Sequence, residues 1–275
     1  MPVISGKNRH HVYISDTAAY KIFELSSEGE IVWEYPLSEG ELVFDLHSES
    51  DGKILFCHYN AFRSGVRMID REGRILLDYL TDGEIFSCCR LPDGKIAVAQ
   101  QGTCSIVILS EKGEPLFSFP VFYDRENRHE IMRSICSSGD DALYLVQPGI
   151  NQIVKYSKEG RILSRYPIHS DAFGVEEEKN GNIIYTCISG VYKIDQSGRE
   201  ISSFTEKDAP QLGLRWPLGF RLLENGNIIV VNWLGHGHSN KGIPAFEITP
   251  DNQIVWICDS RDTMINPSNI AVVAE

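Results

Sequence analysis

Short apolar runs, each closed by a turn signal, recur from one end of the chain to the other. The unit is fullest near the C-terminus. There residues 217–223 lead into Asn225-Gly226-Asn227 and the run Ile228-Ile229-Val230-Val231, and a polar loop precedes Ala245-Phe246-Glu247-Ile248. The turn Asp251-Asn252 then introduces Gln253-Ile254-Val255-Trp256. This pattern predicts four short strands joined by two tight turns and one long loop. No window sustains an apolar period of about 3.6 residues, so helices should be scarce.

The turns recur in register. Asp51-Gly52 returns as Asp93-Gly94, Asp140-Asp141, Asn180-Gly181 and Asn225-Gly226. A second set lies between them: Glu28-Gly29, Glu72-Gly73, Lys112-Gly113, Glu159-Gly160, Ser197-Gly198 and Asp251-Asn252. Gly and Asn suit the positive φ of a two-residue hairpin. Four short strands in a period of about 40–45 residues are the signature of a β-propeller. The second turn occurs six times. The expected fold is therefore all-β, a six-bladed propeller with four-stranded blades. A large sandwich also alternates strands and turns, but it has no reason to repeat two turn types in step.

Residues 11–15, 19–25 and 30–35 supply only three strands of the first blade, so its inner strand must come from 268–273. Such closure removes exposed strand edges. No change of composition and no Pro/Ser-rich linker divides the chain, so residues 1–275 are expected to form a single propeller domain.

Charge narrows the partners. Lys and Arg number 26 against 38 Asp and Glu, a formal net charge of −12. Nucleic acid and anionic membranes are held by Lys and Arg, so neither is an expected partner. No run approaches the ~18 apolar residues of a membrane helix. The start, Met1-Pro2-Val3-Ile4-Ser5-Gly6, has no basic region followed by an apolar core, so no signal peptide is expected in the chain as written. Seven Cys occur, mostly inside apolar runs (Cys57, Cys88, Cys187, Cys258), and no Cys-x-x-Cys is present. Free thiols and a reducing, cytoplasmic setting follow, with a secreted or periplasmic protein stripped of its signal as the alternative. The acidic charge and the closed ring point to a soluble monomer or weak dimer.

Two outer strands, Gly29-Glu30-Ile31-Val32-Trp33-Glu34 and Asn252-Gln253-Ile254-Val255-Trp256, carry a further likeness. They look like the Gly-x-x-Val-Trp strands of pyrroloquinoline-quinone-like repeat propellers and of arylsulfotransferase-like proteins. Asn232-Trp233 to Gly235-His236-Gly237, followed by Phe246-Glu247-Ile248-Thr249-Pro250, is similar to last-blade sequences of that group. At the Trp position the four middle blades carry Leu77, Phe117, Ser164 and Ser202, so the resemblance is one of repeats. The quinone enzymes are eight-bladed and much longer, so their cofactor does not carry over. Arylsulfotransferases use a histidine that takes the sulfuryl group among basic residues; here only histidines and arginines near one face are comparable. Likeness of fold does not set function.

Strands in a blade alternate direction, so both sets of Gly turns share one face and the remaining connections share the other. The long segments 121–130, 206–216 and 234–242 all belong to that second face, where loops on a rigid scaffold carry function. Six residues after the first turn stand His58, Gln100, Gln147, Cys187 and Asn232, with Asp16 equivalent in the first blade. Such groups either tie loop backbone or converge in a shared polar pocket. Eight residues before the turn come Phe44, Phe86, Arg133, Phe173 and Leu218, a series that Arg133 breaks. A buried guanidinium needs an anionic partner, from protein or ligand. His129 precedes it by four residues. Three residues further along each strand, the row His47, Cys89, Cys136, Glu176 and Arg221 offers a pair between Glu176 and Arg221. Trp216 and Trp233 occupy loop-side positions where a flat face stacks on a sugar ring.

Two function classes follow. The first is a binding or scaffolding propeller whose loop-side mouth holds a small polar, anionic or sugar-like molecule, a glycan or a peptide. Its candidate ligand-binding residues are Asp16, His58, Gln100, Gln147, Asn232, His129, Arg133, Arg221, Trp216, Trp233 and His236. The second is a hydrolase, lyase or sulfuryl-type transferase using His129 and Arg133 with His58 or His236. No catalytic residue is singled out and no cofactor is expected. His236-Gly237-His238 lacks a clustered third ligand, so no metal site is assigned, with a metal ion at the central channel as the alternative.

Overall fold

Apolar runs without alternation are what strands buried on both faces require. In the computed structural model, which describes residues 3–5, 10–123, 131–235, 237–239, 241–259 and 264–273, such runs lie in six antiparallel sheets arranged in a ring. Strand Ile54–Tyr59 shows the principle. Ile54 and Phe56 pack toward the first blade with Tyr13 and Ile22, whereas Leu55 and Cys57 pack toward the third with Val98 and Val107. One apolar cluster of this kind fills each gap between neighbouring blades. The inner strands are Pro267–Val272, Leu42–Ser48, Ile85–Arg90, Ile135–Ser137, Ala172–Glu177 and Trp216–Leu222. Among the described residues, helix is confined to the 3-10 turns Gln101–Thr103, Pro148–Ile150 and Pro210–Leu212. No helix among them is long and apolar enough to cross a membrane, and all seven cysteines are free.

The second residue of every turn named above takes positive φ, from 61° at Asn252 to 87° at Gly160. Their loops hold three residues, not the expected two. Gly29 N donates to Ser26 O at 2.9 Å and Ser26 N to Glu30 O at 2.8 Å, enclosing residues 27–29. The extra residue shifts the hairpin register between Glu24 and Leu25, the bulge that a positive-φ third position produces. Ser26, Asp70, Ser110, Ser157 and Asp195 open these loops, and one side-chain oxygen of each accepts two backbone N–H bonds from the turn.

The first blade is completed from the C-terminal end, as the strand count requires. Pro267–Val272 pairs antiparallel with Val12–Asp16, setting Val12 opposite Val272 and Ile14 opposite Ile270. Ile270 is buried among Val12, Ile14 and Phe23, with Val272 at the margin of the same cluster. Asp16 Oδ2 anchors the approach, accepting from Ile265 N at 2.7 Å and Asn266 N at 3.2 Å. Closure leaves the outer edges open, however. Val3–Ser5 adds a fifth strand to the sixth blade, with Val3 opposite Asp259. The outer strands of the other five blades keep an unpaired side among the described residues.

A charged network crosses the axis between the inner strands. Arg221 Nη2 stands 3.1 Å from Asp45 Oδ1, and Nη1 3.4 Å from Glu176 Oε1. Ser87 Oγ donates to Asp45 at 2.5 Å and accepts from Ile135 N at 3.0 Å. Glu176 accepts from Leu222 N at 2.8 Å, and Asn269 Nδ2 donates to Phe44 O at 3.0 Å. All six blades are thereby linked. Burial opposes ionisation of Asp45, yet His47, Arg221 and Ser87 outweigh it and hold this carboxyl well below its usual range. For Glu176 burial wins and its carboxyl is raised, in spite of Arg221.

Two outcomes follow. Deleting residues 267–275 removes about 5 seam hydrogen bonds at ~1 kcal/mol each and the burial of Ile270 at ~1.5–3 kcal/mol. That sum rivals the ~5–15 kcal/mol net stability of a domain, so the truncated chain should show no cooperative melt by circular dichroism; a parent-like melt refutes the closure. Asp45 has a depressed folded pKa, so its stabilisation is present above the unfolded value of about 3.9 and is lost as pH falls below it. Asp45→Asn should therefore cost about 3–5 kcal/mol at pH 7, with the gap to the parent closing below about pH 4. Melting curves that stay parallel down to the acid limb contradict this account.

Candidate functional site

Each inner strand begins with an irregularity that turns one side chain toward the axis. In the second blade Val43 pairs with His58 and Asp45 with Cys57, leaving Phe44 as the extra residue. The same two-against-one pattern isolates Phe86 between Ile85 and Ser87, Leu218 between Pro217 and Gly219, and Ser268 between Pro267 and Asn269. In the fifth blade the slip falls between Ala172 and Val175 and takes in Phe173. In the fourth, Arg133 N donates to Val146 O while Val146 N donates to Ser134 O, so two residues again face one. Bulges bend a strand and re-aim a side chain. Repeated around the ring, they build a floor of Phe44, Phe86, Phe173, Leu218, Ser268 and Arg133.

Above this floor lies a pocket of about 480 Å³ at the loop-side mouth of the channel, walled further by Leu42, Thr17, Trp216 and Trp233. Below it the channel narrows to about 30 Å³ beside Asp45, Ser87 and Arg221. Trp216 and Trp233 are cross-strand partners with ring centroids 5.3 Å apart. Phe44 and Phe86 stand 4.8 Å apart, and the Arg133 guanidinium lies 4.9 Å from the Phe86 centroid. Among the described residues no carboxylate pairs with Arg133. Burial lowers its pKa, with Glu84 and Asp171 opposing from beyond ion-pair distance; the guanidinium stays charged.

The sequence-predicted residues divide into three groups. Arg133, Trp216 and Trp233 line the pocket. Arg221 sits deeper, engaged with Asp45 and Glu176. The polar row ties loops. Asn232 Oδ1 accepts from Arg215 N (2.8 Å) and Trp216 N (3.2 Å), while Nδ2 donates to Gly213 O (3.2 Å) and Ile243 O (3.1 Å). Asp16 Oδ1 accepts from Ala18 N at 2.8 Å and Ala19 N at 3.0 Å. Gln147 Nε2 donates to Phe122 O at 2.5 Å, and Gln100 Nε2 to Thr81 Oγ1 at 2.9 Å. His58 Nδ1 is 2.9 Å from Glu41 Oε1 and holds that carboxyl down at about 2. These five side chains are at most 6% exposed, and none lines the pocket. His129 and His236 lie outside the described residues. Among those described, no group of three His, Cys, Asp or Glu is arranged to hold a metal.

Leu42, Thr17 and Ser268 were not singled out beforehand. Leu42 carried a signal, standing two residues before Phe44 on the same strand; Thr17 and Ser268 reach the mouth only through ring closure.

Comparison with solved structures shows the six-bladed fold. A protein of unknown function from Bacteroides caccae superposes with TM-score 0.86 at 23% identity, covering 98% of this chain and 100% of that one. Virginiamycin B lyase from Staphylococcus aureus gives TM-score 0.64 at 20% identity over 93% of this chain and 83% of its own. A chain from a nidogen/laminin complex gives 0.69 at 12% identity over 96% and 99%. No family model matches the chain, and no curated protein does. The resemblance to quinone-type and arylsulfotransferase-type propellers thus finds no family-level support, and the chain is shown to be a six-bladed β-propeller.

Proposed function

We propose that the protein is a binding propeller whose loop-side mouth holds a small anion-bearing ligand against aromatic walls. One observation carries this reading: Arg133 lies in an otherwise uncharged ring, over Phe86, with no paired carboxylate among the described residues. Burying a guanidinium unpaired is costly, and an anion in the pocket would relieve that cost. A pocket of about 480 Å³ lies within the range of small-molecule sites, ~300–1,000 Å³.

An enzyme reading draws on the lyase among the structural neighbours, one form of which is catalytically inactive with a histidine replaced by alanine. Proton transfer needs an acid or base within hydrogen-bond reach of substrate. Among the described residues the lining holds no histidine, cysteine or carboxylate, and the enzyme reading rests on His129 and His236, which lie outside them.

A thermal-shift screen of small carboxylates, sulfate and sugars identifies binders, and calorimetry then compares the parent with Arg133→Ala. The substitution should cost about 2–5 kcal/mol of affinity for the bound anion. It should leave the melting temperature level or higher, since a half-buried unpaired charge has gone. Unchanged affinity with a lower melting temperature would show that Arg133 is structural and overturn the reading.

A further inference from the structure

The chemistry of the wall narrows the ligand class, given the reading of the mouth as an anion-binding pocket. Among the described residues the lining has two hydroxyls, and both have partners within the protein. Thr17 Oγ1 donates to Asn266 O at 3.0 Å and accepts from Trp233 Nε1 at 3.3 Å. Ser268 Oγ stands 2.8 Å from Val43 O and 3.0 Å from Ser15 Oγ. These bonds also occupy the Trp233 indole N–H. A sugar entering here would bury several hydroxyls against Leu42, Leu218 and the phenylalanine floor. Each hydroxyl left unpaired is penalised, whereas an apolar body gains from the same surface.

Charge narrows the class again. Among the described residues, Arg133 is the one charged group in the lining. Glu84 and Asp171 reach it with their fields without pairing, and the chain carries a net charge of −12. One negative charge on a ligand therefore meets its counterpart, and a second meets only repulsion. Trp216 and Trp233 present their rings to the same space, which suits a flat body.

We propose that the pocket takes an apolar monocarboxylate, an aryl- or alkyl-substituted acid, and turns away sugars and polyanions. The carboxylate meets Arg133, and the body lies between the floor of Phe44, Phe86 and Phe173 and the pair Trp216 and Trp233. The class differs from the sugar-like ligand expected from Trp216 and Trp233 alone, because the structure commits the nearby hydroxyls to protein partners.

Titration calorimetry of the full chain with 3-phenylpropionate, its neutral amide, glucuronate and citrate tests this. The acid should bind saturably with a negative heat-capacity change, and the amide should bind roughly 10- to 100-fold more weakly for want of a charge-assisted bond. Glucuronate and citrate should bind more weakly than the acid. Arg133→Gln should abolish the gap between acid and amide. Glucuronate binding more tightly than phenylpropionate, with that affinity lost in Arg133→Gln, overturns the ligand class but leaves the anion site standing. Acid and amide binding alike to the parent chain, or no carboxylate binding at all, overturns both. The acid–amide comparison uses the unaltered protein, so it decides even where a variant folds poorly.

Discussion

The pairing of Pro267–Val272 with Val12–Asp16 is the contact on which the other five blades depend. Each sheet is apolar on both faces, so each must be covered on both sides. A row of six blades would leave two such faces in water; a ring leaves none. The seam joins residues far apart in sequence, Ser15 to Ser268 among them at a separation of 253. Loop-closure entropy grows only slowly with length, by about 0.6 kcal/mol for each doubling. The burial of Ile14, Phe23, Trp256 and Ile270 in one cluster outweighs that small increment.

Ring closure also makes the site. Six inner strands run along a common axis, and the bulge at the start of each aims one side chain into the opening. Two arginines on these strands meet different surroundings by depth. Arg221 lies low, where Asp45 and Glu176 oppose it across the channel. Arg133 lies at the pocket floor, over Phe86 and with no carboxylate paired to it among the described residues. The paired guanidinium locks the blades together; the other faces the mouth. An axis sealed by charge at one level and lined with rings above it is a shaped receptacle on a rigid frame, the arrangement in which orienting groups can be few.

The polar residues that end the second strands have partners inside the protein, several of them in the neighbouring loops. Asp16, Gln147 and Asn232 bond loop backbone, which must be satisfied when buried, whereas Gln100 and His58 face the side chains of Thr81 and Glu41. Asn232 makes four such bonds to the segments around it. A structural demand repeated in every blade is enough to generate a polar pattern at five of the six positions. A single break in a series is a different kind of signal: Arg133 among Phe44, Phe86, Phe173 and Leu218 is the position where the pocket lining carries a charge among the described residues.

The sequence by itself determined the blade count, the strand order and the seam. Those features rest on short-range rules, a positive φ at Gly29, Gly73 or Asn252 and an apolar run after it, restated six times so that one weak copy does no harm. It also exposed the floor series and the pairing of Glu176 with Arg221, since both follow from aligned registers. Tertiary structure alone decided which side chains face the axis. One inserted residue in a strand reverses the face that follows it, and neither Phe44 nor Ser268 announces its bulge in the local sequence. Nor does composition reveal that Thr17 and Ser268 are already bonded to Asn266, Val43 and Ser15, because those partners meet only when the two ends of the chain close the ring.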